Sequence, residues 1–177
     1  MTARDIRWLL VLLANLLLLW LVGLANHYLS PFAVHLYVCG MMVAYAALRL
    51  DYRHGFLATV LTGLAFDATA PVPFGTHVVL LGLVHATLLS GRRRFPREEP
   101  IFATVVALFA NLFLFIALSF VLISASPRPA DTWMRLFADL VISQLAVGLA
   151  TPWFMAINAR LLDLARLNPE TGRRVEL

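Results

Sequence analysis

Two carboxylates, Asp67 and Asp139, and two amides, Asn111 and Gln144, interrupt long runs of Leu, Ala, Val and Phe. In a bilayer such residues are the ones able to do chemistry. An ionisable group at the membrane centre costs about 2.5 to 3.5 kcal/mol on insertion scales, so each must find a partner, a ligand or water. Counted from Arg53, Asp67 lies ~21 Å along its segment, ~9 Å short of the far side of a ~30 Å hydrocarbon layer. Asp139, following Trp133, falls ~9 Å below the same boundary. At this shared depth two roles are open. The acids could form a polar partner or ligand site in the outer half, with Arg128 or Arg135 as counter-charge. Alternatively, each hydrogen-bonds backbone freed by the broken Ala70–Gly75 stretch, or reaches interfacial water. A proton relay has little support, because no further acid lies deeper.

Asn111 and Gln144 both fall near ~15 Å depth, where adjacent antiparallel helices would pair their amides for about 0.6 to 2 kcal/mol. His85 lies near mid-depth and His35 nearer the outside, but neither has a second ligand at metal spacing, so no metal site is expected. HExxH, GxSxG and CxxC are absent, and no nucleophile and base stand at fixed spacing. The expectation is a protein that is not an enzyme and carries no cofactor. Gly55, Thr59, Gly63 and Asp67 recur every four residues, which places a small-residue stripe on one helix face ending in the acid. That stripe suits close packing within the bundle or against a partner helix. Pro73, Phe74 and Gly75 follow in a rigid turn suited to docking. With Asp139 these residues form the candidate partner or packing interface. Arg92, Arg93 and Arg94 form the strongest basic cluster, suited to anionic lipid head groups at about 1 kcal/mol per charge, or to an acidic cytoplasmic partner.

The elements that must position these residues follow from composition. The chain has 177 residues, 61% hydrophobic and 14% charged, with a mean hydropathy of +0.83. A soluble domain is roughly half apolar and a quarter charged, so the reading is an all-α integral membrane protein in a single domain, 1–177. Six spans are expected, near 8–25, 31–50, 54–68, 76–90, 101–125 and 133–162. A signal peptide competes for the first, but its 18-residue apolar run exceeds the usual h-region of about 7 to 15 residues. Pro31 suits the first turn of the second segment, where its missing donor costs nothing. The third and fourth segments cover only ~22 Å each and form a short central hairpin. Pro152 falls inside the last span, where a kink is expected.

All fourteen basic residues are Arg, against ten acids, a net charge of +4. In a membrane protein this excess reports orientation before nucleic acid, and no nucleic-acid partner is expected. Six spans with a cytoplasmic N-terminus put twelve Arg inside and leave Arg128 and Arg135 outside, so both termini are assigned to the cytoplasm. Cys39, the single cysteine, lies in an apolar run and cannot form an intramolecular disulfide.

The run Gly55-Phe56 through Gly63, Asp67 and Gly75, set in a short apolar hairpin, resembles the central signature of MreD, the rod shape-determining membrane protein of bacteria. The resemblance extends over the full chain in length, topology, Pro31 at the second segment and Pro152-Trp153 late in the last. It implies a non-catalytic, multi-pass component of the bacterial inner membrane, within the elongation complex that supports lateral peptidoglycan synthesis. The implied partners are MreC, the SEDS glycosyltransferase and the class B penicillin-binding transpeptidase, with MreB a further expected one. The family is similar in fold to the substrate-binding subunits of energy-coupling-factor vitamin transporters, which makes such a subunit the alternative. That alternative requires a ligand-sized outer cavity with convergent polar groups.

Overall fold

Runs of Leu, Val and Phe without charges make three helices long and apolar enough to cross a bilayer, and shorter ones fill the space between them. The structure, a computed structural model, describes residues 6–92, 100–124 and 129–165. Among these every regular element is helical: α1 (Arg7–Leu29), α2 (Cys39–Arg49), α3 (Tyr52–Asp67), α4 (Thr76–Gly91), α5 (Pro100–Ser124) and α6 (Pro129–Leu164). The long helices α1, α5 and α6 carry exposed apolar side chains along their outer faces, among them Leu17, Trp20, Phe109, Phe113, Leu149 and Trp153. Apolar residues both inside and on the outer faces are the pattern of helices suited to a hydrocarbon surrounding, since water would penalise so much exposed apolar surface.

The core is α2. All ten residues from Cys39 to Leu48 are buried, and the helix packs against α3, α4, α5 and α6. A helix apolar on every side gains by burial all round. Closest approach comes at Gly40, where a Cβ would overlap the Ala107 carbonyl oxygen and the Asn111 Cβ of α5. The helices α3 and α4 pair as the expected hairpin, and α1 packs over α3. Cys39 is a buried free thiol.

The second segment departs from expectation. Pro31 does not open a helix running to Leu50; it sits in a single 3-10 turn, Ser30–Phe32, that ends α1. Ala33 then takes a left-handed conformation (φ 54°), residues 34–38 run without regular structure, and α2 starts only at Cys39. The physical reason is an alternative set of hydrogen bonds. Side chains from three other helices satisfy the backbone that a helix would otherwise satisfy, as described below. Pro152 lies inside α6 without ending it. Thr151 on the preceding position returns its hydroxyl to the Val147 carbonyl at 2.6 Å.

Candidate functional site

Asp67, the last residue of α3, is a buried hydrogen-bond hub. Its Oδ1 accepts from the His77 backbone N–H at 2.8 Å and from His77 Nδ1 at 2.9 Å. Its Oδ2 accepts from the N–H of Gly75 at 3.0 Å and of Val78 at 3.3 Å. These backbone donors are the orphan N–H groups at the start of α4, so a carboxylate from one helix caps the next. Gly75 supplies the entry turn with φ 97°, a conformation only glycine adopts cheaply. The His77 ring, held by Asp67, stacks on Phe66 with centroids 5.3 Å apart. Asp67 thus takes the backbone-bonding role open to it, and Arg135 makes no ion pair with it. Arg128 lies outside the described residues.

The glycine stripe faces inward. A Cβ on Gly63 would stand 2.9 Å from Val78 Cα, and one on Gly55 would stand 2.7 Å from the Ala46 carbonyl oxygen of α2. Thr59 donates to the Gly55 carbonyl at 2.8 Å, so its oxygen accepts from His85 Nδ1 at 3.1 Å. Thus the stripe packs α3 against α2 and α4 inside the chain. Pro73 accepts from Thr76 at the loop, while Phe74 projects outward with 73% of its surface exposed, beside the exposed Pro71 and Pro73.

Asp139 works 104 positions away from its bond partner. Its Oδ1 accepts the His35 backbone N–H at 2.8 Å, one of four clamps on the irregular stretch before α2 and on the first turn of α2. Asn26 of α1 closes a ring with Leu36, accepting its N–H at 2.7 Å and donating to its carbonyl at 3.0 Å. Ser143 accepts the Tyr37 N–H at 3.0 Å, and Asn111 accepts the Gly40 N–H at 3.1 Å. Irregular backbone packed away from water survives only where protein satisfies its polar groups. Asn111 also donates to Gln144 at 3.4 Å, so the expected amide pair forms, but its shorter bond is to α2. A depth count locates that pair and cannot show a backbone partner 71 positions away.

Arg92 reaches back to α2, with Nη1 donating to the Leu50 carbonyl at 2.8 Å and to that of Ala47 at 3.4 Å. It caps the C-terminal carbonyls of the core helix, rather than being held out for lipid or a cytoplasmic partner. Arg93 and Arg94 lie outside the described residues. Arg92→Ala is expected to lower stability by about 1 to 2 kcal/mol, read as a drop in the detergent melting temperature. A surface arginine waiting for a partner would give no drop.

A cavity of about 600 Å³ lies where these clamps meet. Tyr37, Phe66, His77 and Phe115 line it, with Tyr37 and Phe115 edge-to-face at 5.9 Å. Aliphatic side chains of α1, α5 and α6 form much of the rest, and Asn26, His35, Arg135 and Asp139 supply polar groups. No group of three His, Cys, Asp or Glu side chains among the described residues is placed to hold a metal. Comparisons with protein families, curated proteins and solved structures return no match for this chain.

Asn26, Ser143 and Gly40 were not singled out by sequence reasoning. Their partners are set by tertiary contact alone. Asn15 is also buried on α1 and donates to Thr62 on α3 at 3.0 Å, a polar tie visible in sequence only as the single interruption of the first apolar run.

Proposed function

We propose that this chain is a non-catalytic, MreD-like component of the bacterial elongation complex in the inner membrane, holding MreC and, through it, the SEDS glycosyltransferase and the class B transpeptidase. One observation carries the reading: the residues that bear the resemblance form a structural framework. Gly55 and Gly63 allow close helix contact, Asp67 caps α4 and Gly75 turns the chain, which together make α3 and α4 a rigid hairpin presenting Phe74.

In this reading all six helices cross the membrane with both termini cytoplasmic. The second crossing is the least obvious, because eleven helical residues cover only ~16 Å. Residues 34–37, which have no regular structure, add at most ~13 Å at ~3.3 Å each and bring the segment to about 30 Å, the thickness of the hydrocarbon core. The clamps from Asn26, Asp139, Ser143 and Asn111 are what make such a half-unwound crossing tenable. In intact cells a cysteine at position 128 should react with an impermeant thiol reagent, and one at position 93 should not, against a low background from the buried Cys39. The reverse labelling would end this topology. Affinity purification from the host membrane should bring down MreC, and depletion should round the cells.

The cavity favours a second reading, the substrate-binding subunit of an energy-coupling-factor transporter. Against it, most polar groups on the wall are already committed within the chain: Asn26 to Leu36, Asp139 Oδ1 to His35, Ser119 to Phe115 and His77 Nδ1 to Asp67. Recovery of an ATPase module and a water-soluble vitamin in place of MreC would favour the transporter.

A further inference from the structure

We propose that the 600 Å³ cavity is a binding site for one chain of an anionic lipid, with its acidic head group on Arg135. The inference rests on the membrane setting and the cavity's own walls, and does not depend on the scaffold reading.

The walls select the occupant. The volume is ample for one acyl chain and falls within the range of about 300 to 1,000 Å³ typical of ligand pockets. Leu19, Val22, Leu118 and Leu136 line it above the aromatic floor, and a water-filled space against such walls would be unfavourable beside a supply of lipid chains. Access lies where Gly23 of α1 and Arg135 of α6, both exposed, border the cavity. At Gly23 a Cβ would meet nothing within 4 Å, so the wall is open there.

The polar groups orient the occupant. Arg135 has no hydrogen bond or ion pair among the described residues, although it lines the cavity beside polar neighbours. Asp139 lies one helical turn further along α6, with one oxygen committed to the His35 N–H. An acidic head pushed to that level would meet the like charge of the carboxylate, a repulsion that a neutral hydrocarbon chain does not incur. The head therefore belongs at the Arg135 rim and the chain inside.

The test uses the full chain purified in detergent, with bound molecules counted by native mass spectrometry and stability followed by melting. Three probes separate chain from head: palmitoyl lysophosphatidylglycerol, palmitoyl lysophosphatidylcholine and sn-glycerol 3-phosphate. The expected result is one equivalent of the anionic lysolipid, held about fivefold more tightly than the zwitterionic one, as one head-group charge at a membrane surface provides. Glycerol 3-phosphate should not be retained. Arg135→Gln should bring the two lysolipids to equal affinity, and Gly23→Phe should remove both while leaving the melting temperature in place. If Gly23→Phe does not fold, Leu118→Trp plugs the cavity from α5 instead. Retention of glycerol 3-phosphate alone would overturn the chain site in favour of a simple anion site. Several equivalents of both lysolipids, insensitive to Gly23→Phe or Leu118→Trp, would overturn it in favour of ordinary surface lipid.

Discussion

Gly63→Leu is expected to abolish the stable fold of the α3–α4 hairpin, lowering the protein's stability in detergent by 3 kcal/mol or more, beyond the usual overpacking cost of about 1 to 3 kcal/mol. The reason is what the added side chain meets. Its Cβ would stand 2.9 Å from Val78 Cα and 3.0 Å from Val78 N, which are backbone atoms and cannot swing aside. The same helix pair is pinned at its loop end by Asp67, so a wedge at Gly63 must break either the helix contact or the cap. Gly82→Ala on α4 is the control, because a Cβ there makes only an ordinary 3.9 Å contact with Phe56. It should be silent or gain up to about 1 kcal/mol from helix propensity. Melting curves measured on both variants decide the matter. A Gly63→Leu protein that matches wild type would show that the stripe faces lipid.

Asp67→Leu should be comparably severe, and Asp67→Asn should fall between it and wild type. Leucine leaves three backbone N–H groups and His77 Nδ1 without their acceptor, and each buried donor so stranded costs about 1 to 3 kcal/mol. Asparagine retains one oxygen of the two. Its amide nitrogen would face donors on the other side, so either the Gly75 and Val78 pair or the His77 pair loses its partner. About half the leucine penalty is therefore expected from hydrogen bonding alone. Equal losses for the two variants would instead make the charge itself essential, through its interaction with the positive end of α4. Thermal melting in detergent gives the ranking directly.

Sequence by itself determined what depends on local pattern. Long apolar runs mark α1, α5 and α6 despite their few polar interruptions, because length and hydropathy alone decide whether a helix can cross hydrocarbon. Fourfold spacing of Gly55, Thr59 and Gly63 places a stripe on one face of α3, since the helical repeat is fixed by backbone geometry. The bond of Asp67 to Gly75 was legible for a similar reason: an acid at the end of one short helix, eight residues before a glycine at the start of the next, has little else within reach.

Only the tertiary structure decided the rest. Pro31 satisfies the local rule for a helix start as well as for a helix end, and the choice between them is made at Asp139, Ser143 and Asn111, more than seventy positions away along the chain. Those side chains offer the backbone of residues 35–40 acceptors equal to the ones a helix would provide, and the unwound form leaves the space that becomes the cavity. Arg92 reads as a member of a charge cluster until α2 is seen to end beneath it. Hydrogen bonds between distant side chains and backbone depend on where helices cross, and that is set by packing of whole faces, which no local spacing encodes.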